Sequence, residues 1–242
     1  MALYRDDAIV LRTHKLGEAD RVIVMLCAER GKVRAVAKGV RKTKSRLGGR
    51  LEPMSHLAAQ LYEGRGELHT VSQVETLDHF RSVRDNLDRL TKGLALLEVI
   101  DQLSFDWEPA PRLHAMLLGA LRTLAERDPA MLVPAFYLKL LEAEGVGFDW
   151  DRCVACSGTG DDVELVAIDP LEGGVLCRDC RRGFPVSPGA LDLMRRTVTG
   201  GLVGVLAEPP SPAVHEVEVL ANRLMEHHLE RRLRVPGIIE RA

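Results

Sequence analysis

Aromatic side chains are scarce in this chain, at 4% of its 242 residues, so any core must be filled mainly by leucine, valine, isoleucine and alanine. No apolar run approaches the roughly 20 residues of a membrane span. The N-terminal segment Met1–Asp7 is polar and lacks the apolar stretch of a secretory signal. No GxxxxGK[ST] loop is present, which argues against ATP-driven work. Acidic residues are missing from 30–50, although the chain as a whole carries a formal net charge of −2. Cysteines number only five. These features predict a cytoplasmic protein, in a reducing compartment where paired CxxC spacing favours metal over disulfide.

The acid-free stretch is dense in cations: Arg30, Lys32, Arg34, Lys38, Arg41, Lys42, Lys44, Arg46 and Arg50. It falls within a region of short strands. Ala8–Thr13, Arg21–Cys27, Lys32–Lys38, Leu57–Tyr62 and Leu68–Glu75 read as five of them, separated by turns at Gly17, Gly31, Gly48–Gly49 and Gly64–Gly66. Arg21–Cys27 is almost continuously apolar, which predicts burial on both faces. Lys32–Lys38 alternates, with Val33, Ala35 and Ala37 on one face and Lys32, Arg34 and Lys38 on the other. Five short strands suit a small closed barrel, of the OB-fold or SH3-like kind.

Beyond about Asp78 the apolar period lengthens to 3.6. Val83, Leu87, Leu90, Leu94, Leu97 and Ile100 predict one long amphipathic helix, and Leu113, Met116, Leu117, Ala120, Leu121 and Leu124 a second. Asp128–Pro129, Ser187–Pro188 and Ser211–Pro212 read as N-cap and first helical position of three more. The first of these stops at Gly145, and the last carries Val214, Val217, Leu220 and Leu224.

Cys153-Val-Ala-Cys156 and Cys177-Arg-Asp-Cys180 are two matched CxxC pairs. Each delivers two thiolates from one tight turn, and together they make the four-sulfur set of one structural Zn2+. Gly158, Gly160, Gly173 and Gly174 supply the unusual backbone conformations such knuckles use. Four thiolates leave no open position for catalysis. A nucleobase deaminase would need His-x-Glu and Pro-Cys-x-x-Cys, whereas Arg152 and Leu176 precede the knuckles here. The sequence predicts no enzyme. Cys27, in the apolar second strand, reads as core, and the adjacent His227 and His228 as surface.

A row of cations on one strand, followed by the basic loop GVRKTKSRLGGR, matches a phosphate backbone. The gain is counterion release, which reads charge and no sequence, so single- and double-stranded DNA both fit. Single-strand binders usually add aromatic stacking platforms, yet only Tyr4 and Tyr62 precede Phe80. An RNA-binding or transcription-associated adaptor is the competing class, since OB-folds and zinc knuckles also occur there.

The segment AIVLRTHKLGEADRVIVMLCAERGKVRAVAKGVRK resembles the signature of the RecO family of recombination mediators through Arg12, Thr13, Gly17, Glu18, Gly31, Lys32, Ala35, Lys38 and Gly39. RLGGRLEPMSHL, FYLKLLEAEGVGFDWDRCVAC and GGVLCRDC are similar to its later segments, in the same order. Cys27 stands where that family often has Thr, and Ser157 where Gly is usual. The resemblance implies an α+β chain: an OB-fold barrel over residues 1–79, helical segments over 80–149 and 187–242, and an inserted zinc module over 150–186. It implies DNA repair and homologous recombination, annealing of complementary strands, and loading of RecA onto strands coated by single-strand-binding protein. It also implies RecR as a partner and association with the nucleoid. The candidate DNA contacts are Arg12, Lys32, Arg34, Lys38, Arg41, Lys42, Lys44, Arg46 and Arg50, with Arg34 and Lys38 foremost.

Overall fold

The computed structural model describes residues 2–43, 45 and 47–235. They divide into two compact units, one running through Asp128 and the other beginning at Pro129.

The first unit is built on five strands: β1 (Leu3–Leu16), β2 (Asp20–Cys27), β3 (Gly31–Ala37), β4 (His56–Tyr62) and β5 (Leu68–Asp78). They close in the order β1-β2-β3-β5-β4, with β3 and β5 parallel and the other pairs antiparallel. This is the OB-fold barrel. β1 is much longer than its apolar run suggested. Leu3–Ile9 pairs with β4, and Ala8–Leu16 with β2 across a bulge between Val10 and Arg12. One bent strand therefore serves both neighbours and closes the barrel. The interior holds Val10, Ile23, Met25, Val33, Ala35, Leu57 and Leu61, and Cys27 is part of it as expected.

Three helices belong to the same unit: α1 (Arg81–Arg84), α2 (Leu87–Leu103) and α3 (Pro111–Glu126). The single helix expected over Val83–Ile100 is two. Asp85 closes α1, and the Asn86 side chain accepts from the Arg89 amide to start α2. Arg84 donates to His79 O, Pro53 O and Ser55 Oγ, which ties α1 to the segment before β4. α3 packs on β1 and β2, and β2 is buried on both faces from Ile23 to Cys27.

The second unit packs α4 (Leu132–Ala143), α5 (Pro188–Val198), α6 (Leu202–Val205) and α7 (Pro212–His228) with a small sheet. Ser187 and Ser211 cap α5 and α7 as expected. Asp128 does not cap α4: its carboxylate pairs with Lys92 at 2.5 Å, and the chain turns through Met131 before the helix begins. Gly145 takes φ +80° just beyond that helix and ends it. The sheet has strands β6 (Asp149–Cys153), β7 (Leu165–Asp169), β8 (Gly174–Cys177) and β9 (Phe184–Pro185) in the order β6-β8-β7-β9. These strands are two to five residues long, too short for a periodic signal in the sequence.

Candidate functional site

Strand pleat sorts β3. Val33, Ala35 and Ala37 are fully buried in the barrel, which turns Lys32, Arg34 and the following Lys38 to its outside. The cations along that outside face then meet two different environments.

Lys32 and Arg34 lie beside the segment that joins α2 to α3. The Lys32 amide donates to Phe105 O at 3.3 Å, and the Trp107 amide donates to Lys32 O at 3.1 Å. This approach is close enough that a Cβ on Gly31 would sit 1.7 Å from Glu108 O. The last turn of α2 and this segment carry acids that face the cations. Lys32 Nζ donates to Asp101 O at 2.7 Å and lies 3.8 Å from Asp101 Oδ1, Arg12 Nε donates to Asp101 Oδ2 at 2.5 Å, and Arg34 Nη2 pairs with Asp106 at 2.9 Å. Lys32 keeps only 11% of its side-chain surface exposed, and burial pulls its pKa below the ordinary lysine value. Arg12 and Arg34 remain 42% and 38% exposed, so each can still reach a ligand from its ion pair. Three cations face two carboxylates, which leaves one positive charge in excess.

Past β3 the balance differs. Lys38, Arg41 and Lys42 are exposed, and among the described residues none of them has a carboxylate within ion-pair distance. Their backbone is held in place. Gly39 N donates to Asp20 Oδ1 at 2.7 Å, and the Arg41 amide to Ala19 O at 2.9 Å, which clips this loop to the β1–β2 turn. Arg41 also donates from Nη1 to Glu18 O at 3.0 Å. Arg50 is exposed, with Nη1 donating to Val74 O at 3.2 Å. Lys44 and Arg46 lie outside the described residues.

The α2–α3 segment also brings aromatic groups that counting within the barrel sequence missed. Phe105 is 66% exposed, and Trp107 is 38% exposed over His69 with ring centroids 4.3 Å apart. His69 in turn receives Tyr4, whose ring lies 4.0 Å under the Arg30 guanidinium. Trp107 has φ +66°, a left-handed conformation that a bulky residue rarely adopts. The sequence signal was the FDW triplet at the end of an amphipathic helix, remote in the chain from the strands it covers.

In the second unit, Cys153 ends β6 and Cys177 ends β8, so strand pairing brings the two CxxC turns together. All four sulfurs lie within 4.8 Å of one another, and Cys156 Sγ is 3.8 Å from Cys177 Sγ. A tetrahedron with Zn–S bonds of about 2.3 Å has edges of about 3.8 Å. The donor set therefore fits one zinc ion. Ionisation is uneven. Burial raises the Cys153 thiol, but the amides of Cys177, Cys156 and Ala155 outweigh it and bring it down to about 6. Cys180 is pushed up to about 12, first by its hydrogen bond to Cys177. Four thiolates at this spacing need a cation to hold their charge. The left-handed residue of the first knuckle is Ser157, at φ +62°, and not Gly158. Gly158 is needed for room, since a Cβ there would sit 3.0 Å from both Val163 methyls.

Comparison with known proteins agrees with this architecture. Residues 1–80 match the family model described as Recombination protein O N terminal, and residues 84–236 match Recombination protein O C terminal. A protein of Frankia casuarinae called DNA repair protein RecO is 40% identical over 248 aligned residues, covering all of both chains. One of Nocardioides sp. with the same name is 38% identical, covering 99% of this chain and all of its own. No helix among the described residues is long and apolar enough to cross a membrane.

Proposed function

The chain belongs to the RecO family of DNA repair proteins, and on that premise we propose that it is a non-catalytic recombination mediator that binds and anneals DNA through the outer face of β3 and the loop after it. The observation that carries this reading is the exposed, backbone-anchored set Lys38, Arg41 and Lys42, free of carboxylate partners among the described residues. Lys44, Arg46 and Arg50 follow in the sequence and belong to the same proposed contact set. Arg34 and Arg12 join by exchanging Asp106 and Asp101 for phosphates, and Lys32 holds the strand against α2.

Annealing follows from charge. A cationic face that neutralises two strands at once lowers their mutual repulsion and raises their local concentration. Binding through phosphates carries no sequence preference, as a mediator acting on any broken chromosome requires. Within the same reading the protein works with RecR and single-strand-binding protein to load RecA, and so acts at the nucleoid. Cys153, Cys156, Cys177 and Cys180 would hold one Zn2+, which supplies structure and no reaction step.

The test is annealing of complementary oligonucleotides by wild type and by Lys38→Glu/Arg41→Glu/Lys42→Glu. The triple variant is expected to fold normally, to lose at least about tenfold in DNA affinity and to lose annealing. Unchanged annealing would overturn the assignment. Tighter binding to RNA than to DNA of one sequence would move the protein to the adaptor class.

A further inference from the structure

Asp7 on β1, His56 at the start of β4 and His114 in the first turn of α3 converge outside the barrel interior, and none of them takes part in the reading above. Their nearest ligand atoms all lie within 4.8 Å of one another. His56 Nε2 is 2.5 Å from Asp7 Oδ1, and His114 Nε2 is 3.4 Å from the same oxygen. The two imidazole rings are tilted, with centroids 6.1 Å apart. His56 and His114 are 4% and 5% exposed, whereas the Asp7 side chain keeps 44% of its surface. The group is thus closed on the protein side and open to solvent through the carboxylate.

One atom in it is unsatisfied. Among the described residues, His114 Nε2 is buried and makes no hydrogen bond, since Asp7 Oδ1 at 3.4 Å lies outside hydrogen-bond geometry. A buried ring nitrogen left in this way costs free energy unless something supplies a partner. The neighbouring Asp6 is itself 7% exposed, and its Oδ2 also lacks a partner. Its carboxyl interacts electrostatically with His114.

We propose that Asp7, His56 and His114 form a second metal site, which takes one divalent cation of the late first transition row, such as Zn2+, through two imidazole nitrogens and one carboxylate oxygen. Two imidazoles and a carboxylate are the donors such ions accept, and they disfavour Mg2+ and Ca2+, which want oxygens alone. Metal–ligand bonds of about 2.0–2.2 Å give a tetrahedron with edges of about 3.3–3.6 Å. The His114–Asp7 separation already matches such an edge. The His56–Asp7 pair must open by about 1 Å, which rotation of the half-exposed carboxylate provides. The fourth position falls to water on the exposed side. The ion would pin α3 to β1 and β4, a role separate from the four-cysteine knuckle and independent of DNA binding.

The test uses the tag-free full chain with one Zn2+ already in its four-cysteine site, titrated with Co2+ and, separately, with Zn2+. Wild type is expected to take a second equivalent. The Co2+ form should show ligand-field bands without a thiolate-to-metal charge-transfer band, and melting should shift upward. Asp7→Asn, at a half-exposed position that keeps the fold, should weaken the second equivalent at least about tenfold and leave the first. His114→Gln should do the same. Saturation of wild type at a single equivalent would overturn the proposal, as would a second equivalent that survives Asp7→Asn. Thiolate charge transfer from that second ion would also overturn it.

Discussion

At the scale of single residues, Ser157 and His69 make the most direct predictions. Ser157 holds φ +62° in the first cysteine knuckle, where a Cβ is disfavoured by about 1–2 kcal/mol. Ser157→Gly is therefore expected to stabilise the second unit by about 1 kcal/mol, read as a higher denaturation midpoint at unchanged zinc content. A lower midpoint would mean that the hydroxyl earns its place by another contact. His69 titrates out of step with an unfolded chain. Burial holds its pKa below 6.5, and burial does the same to His114. Below about pH 6.5 the unfolded chain then binds more protons than the folded one, so stability falls as pH drops through that window. Melting temperature should decline from about pH 7.5 to about pH 5.5, and less steeply in His69→Gln. An identical decline in the variant would remove His69 from the cause. Legibility at this scale was uneven. The four cysteines stood out through spacing alone, and Cys27 through its apolar strand. Asp7, His56 and His114 could not, because residues so far apart in the chain meet only once the barrel has closed and α3 has docked.

Among elements, the α2–α3 segment would bear most on the proposed DNA contact of β3. It rests on Gly31, where φ is +67° and an added Cβ would lie 1.7 Å from Glu108 O, so no side chain is admitted. Gly31→Ala should cost about 2 kcal/mol or more in stability and release the segment, which proteolysis between Ser104 and Pro109 would report. Resistance equal to wild type would contradict that anchoring. Phe105 and Trp107 on the same segment sit beside Lys32, so single-stranded DNA is expected to quench tryptophan emission in wild type and less in Trp107→Phe. The strands of the barrel were readable because their side chains alternate with a short period. The ends of β1 were not, since Leu3–Asp7 and His14–Leu16 are largely polar or exposed and derive their order from pairing. The division of one expected helix into α1 and α2 turned on a single cap, Asn86, inside an unbroken apolar stripe.

For the whole molecule, the two units are expected to depend on different things. Cys177→Ser should collapse the β6–β9 sheet, since structural zinc of this type contributes about 10–16 kcal/mol of apparent binding free energy. The barrel has none of these ligands, and its melting transition should persist. Net charge concealed an uneven charge distribution: −2 overall hides a cationic stretch at residues 30–50. What the sequence did not disclose is that Asp101 and Asp106 meet Lys32 and Arg34 of that stretch, because helix docking alone decides which acids face it. The central claim is that Lys38, Arg41 and Lys42, without carboxylate partners among the described residues, neutralise phosphates. The most direct test is the salt dependence of affinity for a single-stranded oligonucleotide. Each phosphate contact contributes about 0.7 to the slope of log K against log salt, so Lys38→Glu/Arg41→Glu/Lys42→Glu should flatten the wild-type slope by about 2. A wild-type affinity indifferent to salt, or an equal slope in the variant, would contradict the account.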